Sequence, residues 1–377
     1  MTRRERLMAT LEGKPVDRPA VSFYEIGGFD IDPDDSDPFN VYNDPSWRPL
    51  LQLAEEQTDL IRMRSPTLRR PSDSRWAKFF TTEEYVAGSF RFVRTTLRVG
   101  GRTLWQLTRR NPDVDSIWTI ESFVKSVADL KAYLELPADV FVQEPDVSDM
   151  IAEDRRVGDR GIVMVDTEDP LCIAAQLFSM EDFMVVAFTE QALFHRLLEK
   201  VAAFLHARTE QVARAFPGHL WRIFGPEYAS EPYLPNQLFE EYVVRYTGPM
   251  VKSIEKHGGF ARLHCHGRIR NLLKHFVAMG ASATDPIEPP PQGNVELADV
   301  RREYGKDLVL FGNIEVSDLE MLAPKAFEKV VARSLRDGTL GEGRGFVLMP
   351  SAAPYGRTVS PTTMANYETM VRLTQRG

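Results

Sequence analysis

The sequence predicts an α/β protein with a single domain over residues 1–377, a (β/α)8 barrel. Three observations carry that expectation. From residue 161 onward, short apolar runs alternate with long amphipathic ones, the rhythm of stacked strand–helix units. Over the whole chain about eight such strands can be counted, which is the closure number of this barrel. Polar residues recur directly after those strands, at the end where barrels build their sites. An open doubly wound sheet is the alternative architecture.

Composition narrows the function. A hydrophobic content of 43% and a charged content of 27% are those of a soluble globular protein. No apolar run approaches the ~20 residues that a membrane span needs, so no membrane partner is expected. The N-terminal segment, residues 1–13, reads as a charged amphipathic helix without the apolar core of a secretion signal, which points to the cytoplasm. Two cysteines far apart, Cys172 and Cys265, suit a reducing compartment. A net charge of -8 argues against nucleic acid.

Taken in order, the first helix leads through a turn at 13–19 to a strand at 20–24, followed by Glu25. Residues 27–44 are acidic and rich in glycine, proline and asparagine, a loop. A helix near 47–57 precedes a strand at 59–63, with arginines beyond its end. About 95 residues then separate this strand from the next clear one, far more than an ordinary connection. Within them, 89–97 and 103–108 alternate in polarity around Val99-Gly100-Gly101-Arg102, a hairpin signal. Residues 65–160 therefore read as an insertion between strands 2 and 3, carrying a β-hairpin lid. Further strands are expected at 162–165, 219–224, 260–264, 281–284, 308–311 and 346–349. The helix after the strand at 308–311 shows a capping box, Ser317 to Glu320, and the last helix opens with Ser360-Pro361.

The stretch 260–269, FARLHCHGRI, is the most informative. Its apolar half suits a buried strand, and successive side chains of a strand point to opposite faces. His264 and His266 therefore share one face while Cys265 points away. Gly267 permits a sharp turn into a helix with apolar residues at 269, 272, 273 and 276. Two imidazoles on one face bind a metal or position a substrate; hydrogen-bonded core residues are the plainer reading.

Three segments, RERLMATLEGKPVDRPAVSF, GPEYASEPYLPNQLFEEYVVRYTGPMVKSIEKHGGFARLHCHGRI and VRREYGKDLVLFGNIE, resemble the uroporphyrinogen decarboxylase superfamily. The likeness is greatest to its branch of cobalamin-dependent methyltransferases, and strongest from Gly225 to Glu315. It implies a (β/α)8 barrel. In that branch a His-x-Cys pair on this strand binds zinc, with a second cysteine after the last strand. Here His264 matches, His266 stands in place of the cysteine, and the final segment reads Pro350-Ser351-Ala352-Ala353-Pro354. Two histidines and a carboxylate still suit a catalytic zinc with an open position, so Asp285 is expected to join His264 and His266, with Glu227 the other candidate. The decarboxylase branch carries an arginine motif after the first strand; this chain has Glu25-Ile26-Gly27-Gly28-Phe29-Asp30-Ile31-Asp32 there, which would repel a polycarboxylate.

The expected activity is thus zinc-assisted methyl transfer between a small molecule and a corrinoid. With the last predicted helix closing the chain, the corrinoid is expected on a separate protein; a homodimer follows the superfamily's habit. Glu227 and Asp166 are the candidate catalytic residues. Tyr24, Arg62, Tyr228 and Asn313, all near strand ends, are the candidate substrate-binding residues. The plainer readings are turn residues for Glu227, helix caps for Asp166 and Asp285, solvated surface for Arg62 and core packing for the tyrosines. Decarboxylation of a carboxylated tetrapyrrole, and a ligand-binding barrel without chemistry, are the alternatives.

Overall fold

A computed structural model describes residues 1–376 apart from 25 and 27–34. Glu25 and residues 27–34 of the acidic segment after it therefore lie outside the described residues. Eight parallel strands form the central sheet: β1 (Ala20–Val21), β2 (Leu60–Arg64), β3 (Gly161–Glu168), β4 (Leu220–Phe224), β5 (Phe260–His264), β6 (Ala283–Asp285), β7 (Val309–Ile314) and β8 (Phe346–Pro350). Each pairs with its sequence neighbours from β2 round to β8, and β8 pairs with β1, the order of a (β/α)8 barrel.

Asp59 holds the seam between β1 and β2. Its N–H donates to the Val21 carbonyl at 2.8 Å and its carboxylate accepts from the Val21 N–H at 2.9 Å. Arg6 and Arg18 pair with the same carboxylate at 2.6 and 2.8 Å, and Arg6 also reaches Asp17 at 2.6 Å. The cluster lies at the foot of the barrel, where first-helix residues Leu7 and Leu11 join the inner core.

Strand periodicity divides the apolar residues into two layers. Ile61, Met164, Leu220, Val309, Phe311, Val347 and Met349 fill the barrel's interior. Their neighbours, such as Leu60, Val163, Trp221, Leu263 and Leu310, pack outward against the helices. Cys265 belongs to this outer layer, facing away from the interior.

The insertion is more elaborate than one hairpin. It holds a four-stranded antiparallel sheet, Phe80–Ala87, Phe90–Val99, Arg102–Arg110 and Ile117–Glu121. Its central turn falls on Gly100 and Gly101 at φ 57° and 71°, the backbone that a two-residue hairpin needs. The Asp115 N–H donates to the Tyr355 carbonyl at 3.0 Å, which fastens the insertion to the loop after β8. The helix Val316–Met321 starts earlier than its sequence suggests, with Glu315 rather than Ser317 at the cap position. Among the described residues no helix is long and apolar enough to cross a membrane.

Candidate active site

Register sets the site. On β4 and β5, Arg222 lies opposite Arg262 and Phe224 opposite His264. Across the neighbouring strands, Arg222 meets Asp166 and His264 meets Asp285. These residues have inward parity, so the upper barrel replaces the apolar interior with two charged layers. Burying them is tolerable only because they pair. Arg222 reaches Asp166 at 3.3 Å and Arg262 reaches Asp285 at 3.0 Å.

Asp285 is wholly buried and committed on both oxygens: one faces Arg262, the other accepts from His264 Nδ1 at 2.8 Å. That bond fixes the tautomer, leaving His264 Nε2 unprotonated and 3.3 Å from the Tyr24 hydroxyl. Burial pulls the His264 pKa down to about 3, against the attraction of Asp285. Asp285 resists its own burial through Arg262 and His264 and falls to about 2. His264 is thus a neutral ring in a buried chain, Tyr24, His264, Asp285, Arg262. Tyr24 enters this chain with φ 53°, a conformation unusual for any residue but glycine.

His266, just past the strand, has the opposite character. Its ring stands 4.6 Å from that of His264, nearly perpendicular. Nδ1 donates to Glu288 at 2.8 Å, and the other Glu288 oxygen accepts the Gly267 N–H at 2.7 Å. Burial works against a charge on this ring, but the bond to Glu288 and the Glu288 charge more than offset it and raise the His266 pKa. The two neighbouring histidines thus have pKa values displaced in opposite directions, the pattern that separates an acid from its neighbour.

Tyr24, Arg222, Glu227, His264 and His266 line a cavity of about 240 Å³ at the barrel mouth, with Ala352–Tyr355 as one wall and, above, Tyr42 from the segment between β1 and β2 and Asp115 from the insertion. The Arg222 guanidinium lies over the rings of Tyr24 and Phe224, at 5.2 and 5.1 Å. Burial pushes the Glu227 carboxyl up, opposed by the charges of His266 and Arg222. Glu227 is aimed by the loop after β4, where the Gly225 N–H donates to its carboxylate at 3.0 Å. Gly225 has φ +115°, and a Cβ there would lie 2.3 Å from the Cys172 Cβ. Gly225→Ala is therefore expected to cost about 2–4 kcal/mol in a urea titration, from backbone strain plus overpacking, and to displace Glu227.

The structure thus gathers four of the sequence candidates, Tyr24, Glu227, His264 and His266, and redirects the others. Asp285 is a partner of His264 and Arg262 rather than a free ligand. Asp166 orients Arg222. Arg62 does not reach the cavity: alternation along β2 turns Ile61 and Met63 inward and Arg62 toward the helices, where it pairs with Glu55 and Glu153 at 2.5 and 2.9 Å. Asn313 accepts from Ser334 on the helix Pro324–Gly338 at 2.6 Å. Tyr228 packs edge-on against Phe183, centroids 5.9 Å apart, outside the cavity. Glu288, Arg222 and Arg262 were missed. The signal for the arginines was a charge at inward parity in an otherwise apolar strand; for Glu288 it was a lone acid in the proline-rich segment after β6.

Zinc finds a partial donor set. Each imidazole sets Nδ1 against a carboxylate, as metal-bound histidines do. His264 and His266 would hold the ion by Nε2, yet among the described residues no three His, Cys, Asp or Glu side chains come together to hold a metal.

A family model described as uroporphyrinogen decarboxylase (URO-D) matches residues 115–376. Among solved structures, a methyltransferase from Methanosarcina mazei aligns over 100% of this chain and 99% of its own, with TM-score 0.63 and 16% identity. That likeness is one of fold. A D-psicose 3-epimerase determined with D-fructose aligns over 59% of this chain and 84% of its own, at 10% identity and TM-score 0.30. A muconate lactonizing enzyme from Pseudomonas putida aligns over 81% and 77%, at 9% and 0.26; neither bears on function. No curated protein sequence matches the chain.

Proposed function

This chain belongs to the uroporphyrinogen decarboxylase family, and on that premise we propose that it moves a methyl group from a small oxygen-bound donor to a corrinoid presented by a separate protein at the barrel mouth. The observation that carries this reading is His266 bonded to Glu288 with its ring 4.6 Å from that of His264, which is bonded to Asp285, both in a cavity sized for a small molecule. His266 donates its proton to the ether oxygen of the donor. The electron pair of the C–O bond goes to that oxygen, and the methyl carbon takes its new pair from the reduced corrinoid, here a substrate. Tyr24 and His264 form a fixed polar wall, while Arg222 and the rings under it hold the body of the donor. The methyltransferase structure from Methanosarcina mazei, alike in fold, points the same way.

Zinc is a second reading, favoured by the carboxylate behind each imidazole. Bound there, it would supply a Lewis acid at the same oxygen. Metal analysis of untagged protein separates the two: one equivalent of zinc, lost in His264→Ala, favours the metal. A tetrapyrrole polycarboxylate is a poorer fit, because among the described residues the cavity offers it one arginine, Arg222, which is already paired with Asp166.

Activity is tested with free reduced cobalamin and a panel of aryl and alkyl methyl ethers, following the methyl–cobalt absorbance. The proposal expects methylcobalamin with the wild type and its loss in His266→Gln. Porphyrinogen turnover without any methyl–cobalt signal would replace it with decarboxylation.

A further inference from the structure

A second cavity, of about 90 Å³, lies at the same end of the barrel but outside its wall. The outward residues Val165 and Thr167 of β3 and Trp221 of β4 form its floor, Arg208 and Val212 of the helix Gln191–Ala215 one side, and Leu68 of the insertion its roof. Trp221 is 2% exposed, and its indole N–H finds no acceptor among the described residues. A buried donor left unpaired is costly, and native interiors rarely keep one. The charges at the cavity are met, since Arg208 donates to Glu168 at 2.8 Å and Asp166 pairs with Arg222. Its polar lining is already partnered, Thr209 by the Leu205 carbonyl, Ser65 by the Asp166 carbonyl and Arg208 by Glu168, so what it offers a ligand is the apolar surface of Pro66, Leu68, Val165 and Val212 and one donor in want of an acceptor.

We propose that this cavity is a second small-molecule site, taking a neutral, mainly apolar molecule with one hydrogen-bond acceptor, such as a carbonyl, held by the Trp221 indole N–H. A charged ligand would disturb the Arg208–Glu168 pair. Asp166 borders this cavity from β3, while its carboxylate is turned inward to Arg222 of the main cavity. The inference stands on Trp221 and its surroundings and does not depend on the methyl-transfer reading.

The full chain has five tryptophans, whose indole N–H signals can be resolved with 15N labelling and assigned through Trp221→Phe. Titration with N-methylacetamide should move the Trp221 signal saturably and leave the other four in place. Thr209→Leu, which fills the cavity, and Leu68→Trp, which closes it from the surface side, should each abolish the movement. Absence of a saturable shift, an equal drift of all five signals, or a shift unchanged in the Leu68→Trp protein would overturn the proposal.

Discussion

Replacing His266 by glutamine is expected to lower kcat for methyl transfer by about 10²–10⁴-fold, the usual contribution of a positioned general acid. The side chain is 38% exposed and lies beyond the end of β5, so the unfolding midpoint should stay near that of the wild type. The loss should depend on the donor. Ethers of strongly acidic phenols leave as stable anions and need little protonation, so they should be far less affected than ethers of simple alcohols. A uniform loss across donors would mean that His266 only shapes the cavity. In the wild type, kcat should fall as pH rises through the elevated His266 pKa, because the proton to be donated is then gone. Glu288→Gln should move that fall to lower pH, since the carboxylate that sustains the imidazolium is removed.

The largest expected stability effect lies at the other end of the barrel. Asp59→Ala strands the buried Arg6 without its deepest partner and removes the acceptor of the Val21 N–H. Breaking a buried pair from one side typically costs about 3–5 kcal/mol. A loss of that size should appear as a lower urea midpoint. Asp59→Asn keeps the shape and one acceptor oxygen but not the charge, and should recover only part of the loss. A loss below about 1 kcal/mol for Asp59→Ala would show that the seam between β1 and β2 is held by backbone pairing and apolar packing instead.

The barrel was legible in the sequence because its strands and helices carry their periods openly, and His264 and His266 stood out because their shared face follows from strand alternation alone. Arg62 shows where such reading stops. Position at the carboxyl end of a strand says nothing of which face a side chain takes, and on β2 that face belongs to Ile61 and Met63. Asn313 follows Val309 and Phe311 at inward parity, yet its side-chain oxygen accepts from Ser334 of the helix Pro324–Gly338. Glu288 and Arg222 were hidden differently. Their importance comes from neighbours brought together by cross-strand register, Arg222 between Asp166 and Arg262, and Glu288 from a loop folded back onto His266. The insertion gave away its central hairpin through Gly100-Gly101, but not the flanking strands, whose side chains are mostly exposed and carry little periodic signal.

Histidine side-chain 15N NMR across a pH series reads directly whether the two facing imidazoles, 4.6 Å apart, titrate in opposite directions from the usual value. It should show His264 neutral and protonated on Nδ1 throughout pH 5–8, the range in which an unperturbed histidine changes charge, while His266 titrates above 6.5. A His264 that titrates near 6.5, or a His266 already neutral there, would contradict it.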